Sequence, residues 1–454
     1  METPLQVAAE DSMRGIPTRG RLLRVLGVGF GLAVIIGNTI GAGIVSTPGT
    51  IAGRLPNGWL FIGVWIVGGL YALLGAISVA ELGTMMPRSG GQYVFAHDAL
   101  GDYAGFIVGW SDWISTCGSS AFISLVIAKY TGVLVPSVSR HTTALALGTV
   151  VGFGLVQWRG IRWGSGVQNV TSLLKTLAFI TLVIACFALG GNAPVSEAPS
   201  AEAPHGVNLF VASILALQLV IYTYDGWTGV IYFSEEVQNP DRDIPRSMFG
   251  GVVSVIAIYL LVNLAVLYVL PMSEIAGSDL ALGKAAQAIF GSNGDRIFRT
   301  LMILSMLSAV NACQLMATRV LFAMSRDRLF SAWGARANKG GTPTVALLFS
   351  TVVAVLFILT GTVDQVGAVV AFFFVVNYAV SFTVVFVLRR REPARQRPYR
   401  AWGYPWTTGL SLLGSIAFLG GAVASDTRNS LYALLVLAAS YPVFRLTRRL
   451  AAHS

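Results

Sequence analysis

The chain is 454 residues long, 54% hydrophobic and only 11% charged, with a mean hydropathy of +0.69. Soluble domains carry about 25% charged residues. This composition therefore excludes a soluble globular protein, which would lack polar surface to face water, and indicates a polytopic membrane protein.

Twelve apolar segments approach or exceed the ~20 residues that span a bilayer: 24–51, 58–82, 99–133, 142–157, 167–190, 208–234, 247–270, 294–325, 343–361, 365–388, 406–424 and 429–446. The polar stretch 1–23 holds no short apolar core followed by a small-residue cleavage site, so the first span is expected to act as its own insertion signal. The expected organisation is a tail (1–23), five spans (24–190), a linker (191–207) and five further spans (208–389). A loop (390–405), spans 11 and 12 (406–447) and a tail (448–454) follow. The linker, GNAPVSEAPSAEAPHGV, is rich in Pro, Ala and Ser and has no Lys or Arg.

The first span contains IIGNTIGAGI at 35–44, where Gly37, Gly41 and Gly43 interrupt the apolar run beside Asn38 and Thr39. Taken alone, Gly37 and Gly41 read equally as a small-xxx-small packing pair. The sixth span is interrupted as well: VIYTYDGWTGVIYFSEE at 220–236 places Asp225 and Gly226 at matching depth. An acidic residue there costs at least about 2.5 kcal/mol unless it faces a cavity or a partner. Breaks in spans 1 and 6 imply two five-span repeats, the second inverted, and a transport site at the bilayer midplane. Unwound backbone survives in a bilayer only where it lines a cavity. Freed N–H groups at a helix start suit a carboxylate, and freed C=O groups at a helix end suit an ammonium. A site offering both fits an α-amino acid, with the glycines permitting the unwinding and the close approach.

The 31 Lys and Arg residues set the orientation. On these spans, 22 fall on the side of the N-terminus and 7 on the other side, with Lys175 and Arg319 inside helices. Positive residues stay inside, so both termini are expected in the cytoplasm and the protein in the plasma (inner) membrane. The net charge of +10 is thus topology, and no nucleic acid partner is expected. Three cysteines lie in apolar segments and four histidines are scattered. Neither a metal nor a cofactor is expected, and the cysteines read as small buried hydrophobes.

Five motifs in order, GNTIGAGI (37–44), ELGTMMPRSGGQYVF (81–95), YDGW with SEEVQNPDRDIPRS (224–227, 234–247), RVLFAMSRDRLF (319–330) and LRRREP with RPYRAWGYP (388–393, 397–405), run across spans 1–10. In them the chain resembles the amino acid–polyamine–organocation superfamily, nearest its L-type amino acid transporter branch and bacterial relatives. The resemblance implies an all-α, LeuT-like 5+5 inverted-repeat fold of 12 transmembrane helices with helices 1 and 6 broken. It implies sodium-independent exchange of L-α-amino acids, neutral or cationic, by alternating access, and no catalytic residues. Gly41, Ala42 and Gly43 would form the carboxylate site through backbone N–H groups, mainly those of Ala42 and Gly43. The carbonyls of Thr39, Tyr222 and Asp225 would accept from the ammonium. Tyr222 would close over the substrate from outside, next to Thr223, and Asp225 with Gly226 would line the side-chain pocket. Ala42 stands where the branch commonly has Ser, and Asp225 where many members have Gly. Asp225 reads either as a selector of cationic substrates or as a cap on a second half-helix of span 6.

Lys175 reads either as a snorkelling side chain, about two turns from the cytoplasmic end, or, by the resemblance, as an ammonium replacing a sodium ion between spans 1, 5 and 8. Proton coupling through Lys175 is the alternative to exchange. Glu81, Asp112 and Arg319 read as structural ion pairs or gate elements, and Glu236 as a residue of the cytoplasmic gate. Animal members of the branch tether an ancillary glycoprotein through a Cys after span 3. The corresponding loop LVPSVSRH (134–141) has none, so no disulfide-linked partner is expected beyond substrate and membrane lipid. Polyamine transport and amino acid sensing without flux are further alternatives. A membrane-embedded enzyme or a channel finds no paired acids, HExxH, filter loop or ring of charge to support it.

Overall fold

Thr39 ends one helix and Gly43 begins another, with the two axes bent by 46° across the gap. The computed structural model describes residues 22–191, 204–360 and 363–452. The expected tails (through residue 21, and 453–454), most of the expected linker (192–203) and residues 361–362 lie outside the described residues.

Helix α1 (Val28–Thr39) and helix α2 (Gly43–Arg54) form the broken first span. They are followed by α3 (Gly58–Met85), the short α4 (Gln92–Leu100), α5 (Asp102–Leu134), α6 (Thr142–Trp158) and α7 (Ile161–Leu189). After the linker come α8 (Gly206–Thr223), α9 (Pro240–Val269), α10 (Met272–Ile275), α11 (Ala281–Phe290), α12 (Gly294–Arg326) and α13 (Thr344–Thr360). Then come α14 (Val363–Arg391), α15 (Trp406–Ser425) and α16 (Thr427–Ala452). Each of the twelve expected segments corresponds to helix. Among the described residues, nine helical stretches are long and apolar enough to cross a membrane unaided, or ten counting α1 with α2. Helices α6 and α13 are shorter, at 17 residues each.

The helices turn apolar side chains to the outside and keep their polar groups inside, set within an apolar core. Helix α7 shows it plainly. Gln168, Ser172 and Lys175, spaced i, i+4, i+7, are buried, while Leu173, Leu177 and Ile184 are exposed. One face holds the polar groups that tie α7 to its neighbours, and the other faces hydrocarbon.

Three local expectations change. The second half of the sixth span is not an α-helix: after Thr223 the chain runs through turns and a 3-10 segment, Gly229–Phe233, until α9 begins at Pro240. Helix α7 starts at Ile161 rather than near 167, which puts Lys175 about 14 residues inside it, roughly 21 Å along the axis. The loop between α9 and α12 carries two helices, α10 and α11, and packs on the first span. Gly277 N–H donates to Gly49 O at 2.9 Å, and a Cβ on Gly49 would strike the Ser278 carbonyl at 1.9 Å.

Candidate substrate site

A helix leaves its first N–H and last C=O groups without helical partners. Here the end of α1 faces the start of α2, and the end of α8 lies beside both. The exposed carbonyls of α1 are met by side chains from three helices. Lys175 Nζ donates to Gly37 O at 2.7 Å and to Ile40 O at 2.5 Å. Ser305 Oγ donates to Ile40 O at 3.0 Å. Tyr259 Oη reaches both breaks, Thr39 O at 2.8 Å and Thr223 O at 3.0 Å. One turn earlier, Gln168 and Ser172 donate to Ala33 O at 3.1 and 2.7 Å. At the start of α2, the N–H groups of Ala42 and Gly43 have no preceding helical carbonyl and face the gap.

Between the breaks lies a chamber. Thr39, Gly41, Ala42 and Gly43 line it from the first break, and Tyr222, Thr223, Asp225 and Gly226 from the second. Thr116, Ser119 and Phe122 of α5, Cys313 and Met316 of α12 and Tyr378 of α14 complete the wall. The eight residues that the sequence assigns to substrate therefore line one space. Gly226 has φ +112°, and a Cβ there would lie 2.8 Å from Thr39 N, so a side chain at this position would force the two breaks apart. Gly41 is the opposite: a Cβ on it would meet nothing within 4 Å. Gly37 is tightly packed against Gln168, Ser172 and Ser308. The packing role open to the Gly37–Gly41 pair thus applies to Gly37, while Gly41 faces the chamber. Thr39 Oγ1 is buried with no hydrogen-bond partner among the described residues.

Asp225 accepts a hydrogen bond from Tyr378 Oη. The segment after it is a 3-10 stretch, Gly229–Phe233, with Thr228 at its cap position, and no α-helix begins before Pro240, so Asp225 caps no second α-helical half of span 6. Lys175 is fully buried and points at the break, not toward the membrane surface. That removes the snorkelling alternative: the longer α7 carries the residue too deep, and Gly37 and Ile40 supply its acceptors. Glu236 is not in the chamber. It pairs in two-point fashion with Arg319 (2.9 and 3.0 Å), both side chains wholly buried. Leu26 N–H donates to Glu236 O at 2.9 Å, and Gln238 N–H to Leu26 O at 2.8 Å. The start of α1 is thereby stitched to residues 236–238.

Around this stitch lie two further ion pairs, Arg326 with Glu235 (2.9 Å) and Arg88 with Asp327 (2.7 Å). Tyr93 donates to Asp327 at 3.0 Å. Burial, with Asp327 alongside, raises the Tyr93 phenol far above its ordinary range, so it remains a donor. At the opposite end Tyr222 and Phe122 line both the chamber and an outer cavity reaching Arg54, Gln218, Asp426 and Asn429. They form the partition between the two. Glu81 pairs with Arg389 (2.5 Å) and Arg397 (3.2 Å) and also accepts from Ala401 N–H at 2.7 Å, pinning the loop after α14 to α3. Asp112 has no such arginine. Its carboxylate accepts from Tyr232 Oη at 2.9 Å to each oxygen, about ten residues inside α5. Of the two roles open to Asp112, ion pair or gate element, the ion pair finds no partner among the described residues, because the facing segment offers a tyrosine.

Tyr259, Tyr378, Tyr232 and Ser305 were not singled out in the sequence. The polar set Gln168, Ser172 and Lys175 carries a readable signal, an i, i+4, i+7 stripe in an apolar span. A tyrosine in a membrane helix carries none.

The protein-family model described as "Amino acid permease" matches residues 31–441, nearly all of the described structure. The chain belongs to the amino acid permease family. Among its relatives, this permease is 29% identical over 432 residues to the serine/threonine exchanger SteT of Bacillus subtilis (strain 168), covering 93% of this chain and 96% of that protein. It is 26% identical over 420 residues to the b(0,+)-type amino acid transporter 1 of Mus musculus (88% and 83%). It is 27% identical over 392 residues to the large neutral amino acids transporter small subunit 2 of Homo sapiens (84% and 72%). The permease is thus a multi-pass membrane protein of the superfamily its motifs resemble, near the L-type branch and its bacterial relatives.

Proposed function

We propose that this permease is a sodium-independent exchanger of L-α-amino acids working by alternating access, with both termini cytoplasmic in the plasma (inner) membrane. The observation that carries the reading is the chamber between the breaks: N–H groups at the start of α2 on one side, helix-end carbonyls of α1 and α8 on the other. An α-carboxylate docks on Gly41–Gly43, and the α-ammonium docks on carbonyls of Thr39, Tyr222 and Asp225. Lys175 Nζ occupies the Gly37 and Ile40 carbonyls, which leaves no place there for a sodium ion. Residues 24–190 and 208–389 act as the two repeats, and Glu236–Arg319 closes the cytoplasmic side. Tyr222 closes the outer side. The names of relatives support exchange in particular. With no Cys in the loop 134–141, the permease works without a disulfide-linked partner.

Asn38, Thr116, Ser119 and Thr228 line the chamber beside Phe122, Ile123, Met316 and Phe374, a mixed wall that suits small neutral amino acids such as serine, threonine or alanine. A second reading, cationic amino acids, is favoured by one observation: the Asp225 carboxylate lines the chamber with a phenol rather than a cation as its partner.

The test is uptake of labelled amino acids into proteoliposomes, in sodium and in choline buffer, with vesicles preloaded or empty. Exchange predicts uptake into loaded vesicles only, equal in both buffers. Uptake into empty vesicles driven by a proton gradient would replace exchange by symport, and a sodium requirement would refute the role given to Lys175. Competition by lysine or arginine in preference to serine would select the second reading.

A further inference from the structure

Glu81, Asp112 and Glu236 are buried in the helical body and Asp225 is half-buried where it lines the chamber, and these four acids fall into two kinds. Glu81 and Glu236 each face arginine at bonding distance. Asp225 and Asp112 face tyrosine: Tyr378 and Tyr232 respectively. Asp112 is fully buried, and among the described residues no Lys, Arg or His forms an ion pair with it. The groups that face it are Tyr232 from the 3-10 segment, Asp225 from the second break and Thr116 on its own helix. Tyr378 on α14 donates to Asp225 and not to Asp112. On α12, Arg319 is engaged by Glu236. The neighbouring Ser111 donates to Asn377, and Gln92, in the chamber wall, accepts from Ser381.

A carboxylate taken out of water without a cation is costly and is relieved by taking up a proton. Here two carboxylates act on the same buried region. A neutral carboxyl group needs something a carboxylate does not, an acceptor for its own O–H. Thr116, one turn along α5 and facing Asp112, supplies it: its hydroxyl is buried, and it can accept from a neutral carboxyl group as well as donate to a carboxylate. Tyr232 then donates to the carbonyl oxygen of Asp112, and all three groups are satisfied. Both Thr116 and Tyr232 line the chamber, so the carboxyl group sits one hydroxyl away from the space through which substrate passes.

We propose that Asp112 is a proton-holding residue of the transport path, neutral while the chamber is closed and ionised when the chamber opens to water, so that exchange depends on pH through this residue. The proton leaves from the Asp112 O–H, past Thr116, to water in the open chamber, and returns from water before closure. Each closed passage carries one proton, taken from the side just left, so the inward and outward passages of one-for-one exchange cancel and move no net proton. Asp112 does not bind the substrate's α-groups in this account; it sets the charge of the chamber wall. This inference rests on the exchange reading.

The test uses the full-length protein in proteoliposomes, with internal and external pH stepped together from about 5.5 to about 8.5, the range into which burial moves a carboxyl group. Wild type is expected to lose exchange severalfold toward high pH, and Asp112→Asn, which keeps the neutral shape, to give a flat profile. Tyr232→Phe removes a donor to the ionised form and is expected to move the profile to higher pH. Infrared spectra provide a readout independent of transport: a protonated-carboxyl C=O band that Asp112→Asn removes and Asp225→Asn retains. An unchanged pH profile in Asp112→Asn overturns the proposal, as does a band that survives that substitution. Selective loss of lysine and arginine exchange with an unchanged profile overturns it too, and makes Asp112 a reader of cationic substrates. If wild type exchanges no amino acid, the exchange reading fails, and the infrared band still decides the protonation of Asp112.

Discussion

Gly41 and Gly226 show how differently two glycines of one site are constrained. A methyl group on Gly41 enters open chamber and touches no protein atom. Gly41→Ala is therefore expected to fold with stability within about 0.5 kcal/mol of wild type while raising the KM for exchange, a split read from thermal unfolding and uptake kinetics. Gly226→Ala meets both a positive φ and the Thr39 backbone and is expected to lose folded yield in size-exclusion profiles. Lys175→Met leaves Gly37 O without its donor while Ile40 O keeps Ser305. An unpaired buried carbonyl costs about 1–3 kcal/mol, so exchange is expected to fall about tenfold or more. Full activity in Lys175→Met would show that the break holds its shape without the ammonium. At this scale the sequence displayed the glycines and the charges because such residues are out of place in hydrocarbon. It did not display Tyr259, Tyr378 or Tyr232, since their hydroxyl partners are set by folding.

Among elements, the outer halves of the broken spans are joined to each other, and so are the inner halves. Thr47 of α2 bonds Thr223 of α8 at 3.0 Å. Leu26, ahead of α1, pairs with Glu236 and Gln238, and Gly229 packs on Val34. Each pair can move as a unit about the breaks, which is the motion alternating access needs. The inner pair is locked by Glu236–Arg319. Removing one partner from a buried ion pair costs about 3–5 kcal/mol, so Arg319→Ala is expected to lower the unfolding temperature. It should also open the inner side. In a Cys117→Ser, Cys186→Ser background, Cys313 in the chamber wall should react faster with an impermeant maleimide from the cytoplasmic side. An unchanged labelling rate would mean that the pair is structural and not a gate. The breaks themselves were legible from Gly and Asp in apolar runs. The 3-10 path after Thr223 was not, because a run such as VIYF is compatible with either helix, and the earlier start of α7 was hidden by the polar residues of its first turns.

For the molecule as a whole, composition and the placement of Lys and Arg carried most of the architecture. Lipid permits few alternatives to helices, and basic residues stay on one side. What composition could not reveal is the pairing across the chamber. Asp112 and Glu81 look alike in sequence, both acids in apolar runs, yet one finds tyrosine and the other arginine. The central claim is that the two breaks together form a site for a zwitterion. The measurement that addresses it most directly is binding to the purified protein of L-serine, of ethanolamine, which lacks the carboxylate, and of glycerate, which lacks the ammonium, each followed by protection of Cys313 from alkylation. The account predicts protection by serine alone, with either truncated analogue weaker by at least about tenfold, equivalent to ~1.4 kcal/mol. Protection by ethanolamine as good as that by serine would contradict it, because the N–H groups at the start of α2 would then contribute nothing to recognition.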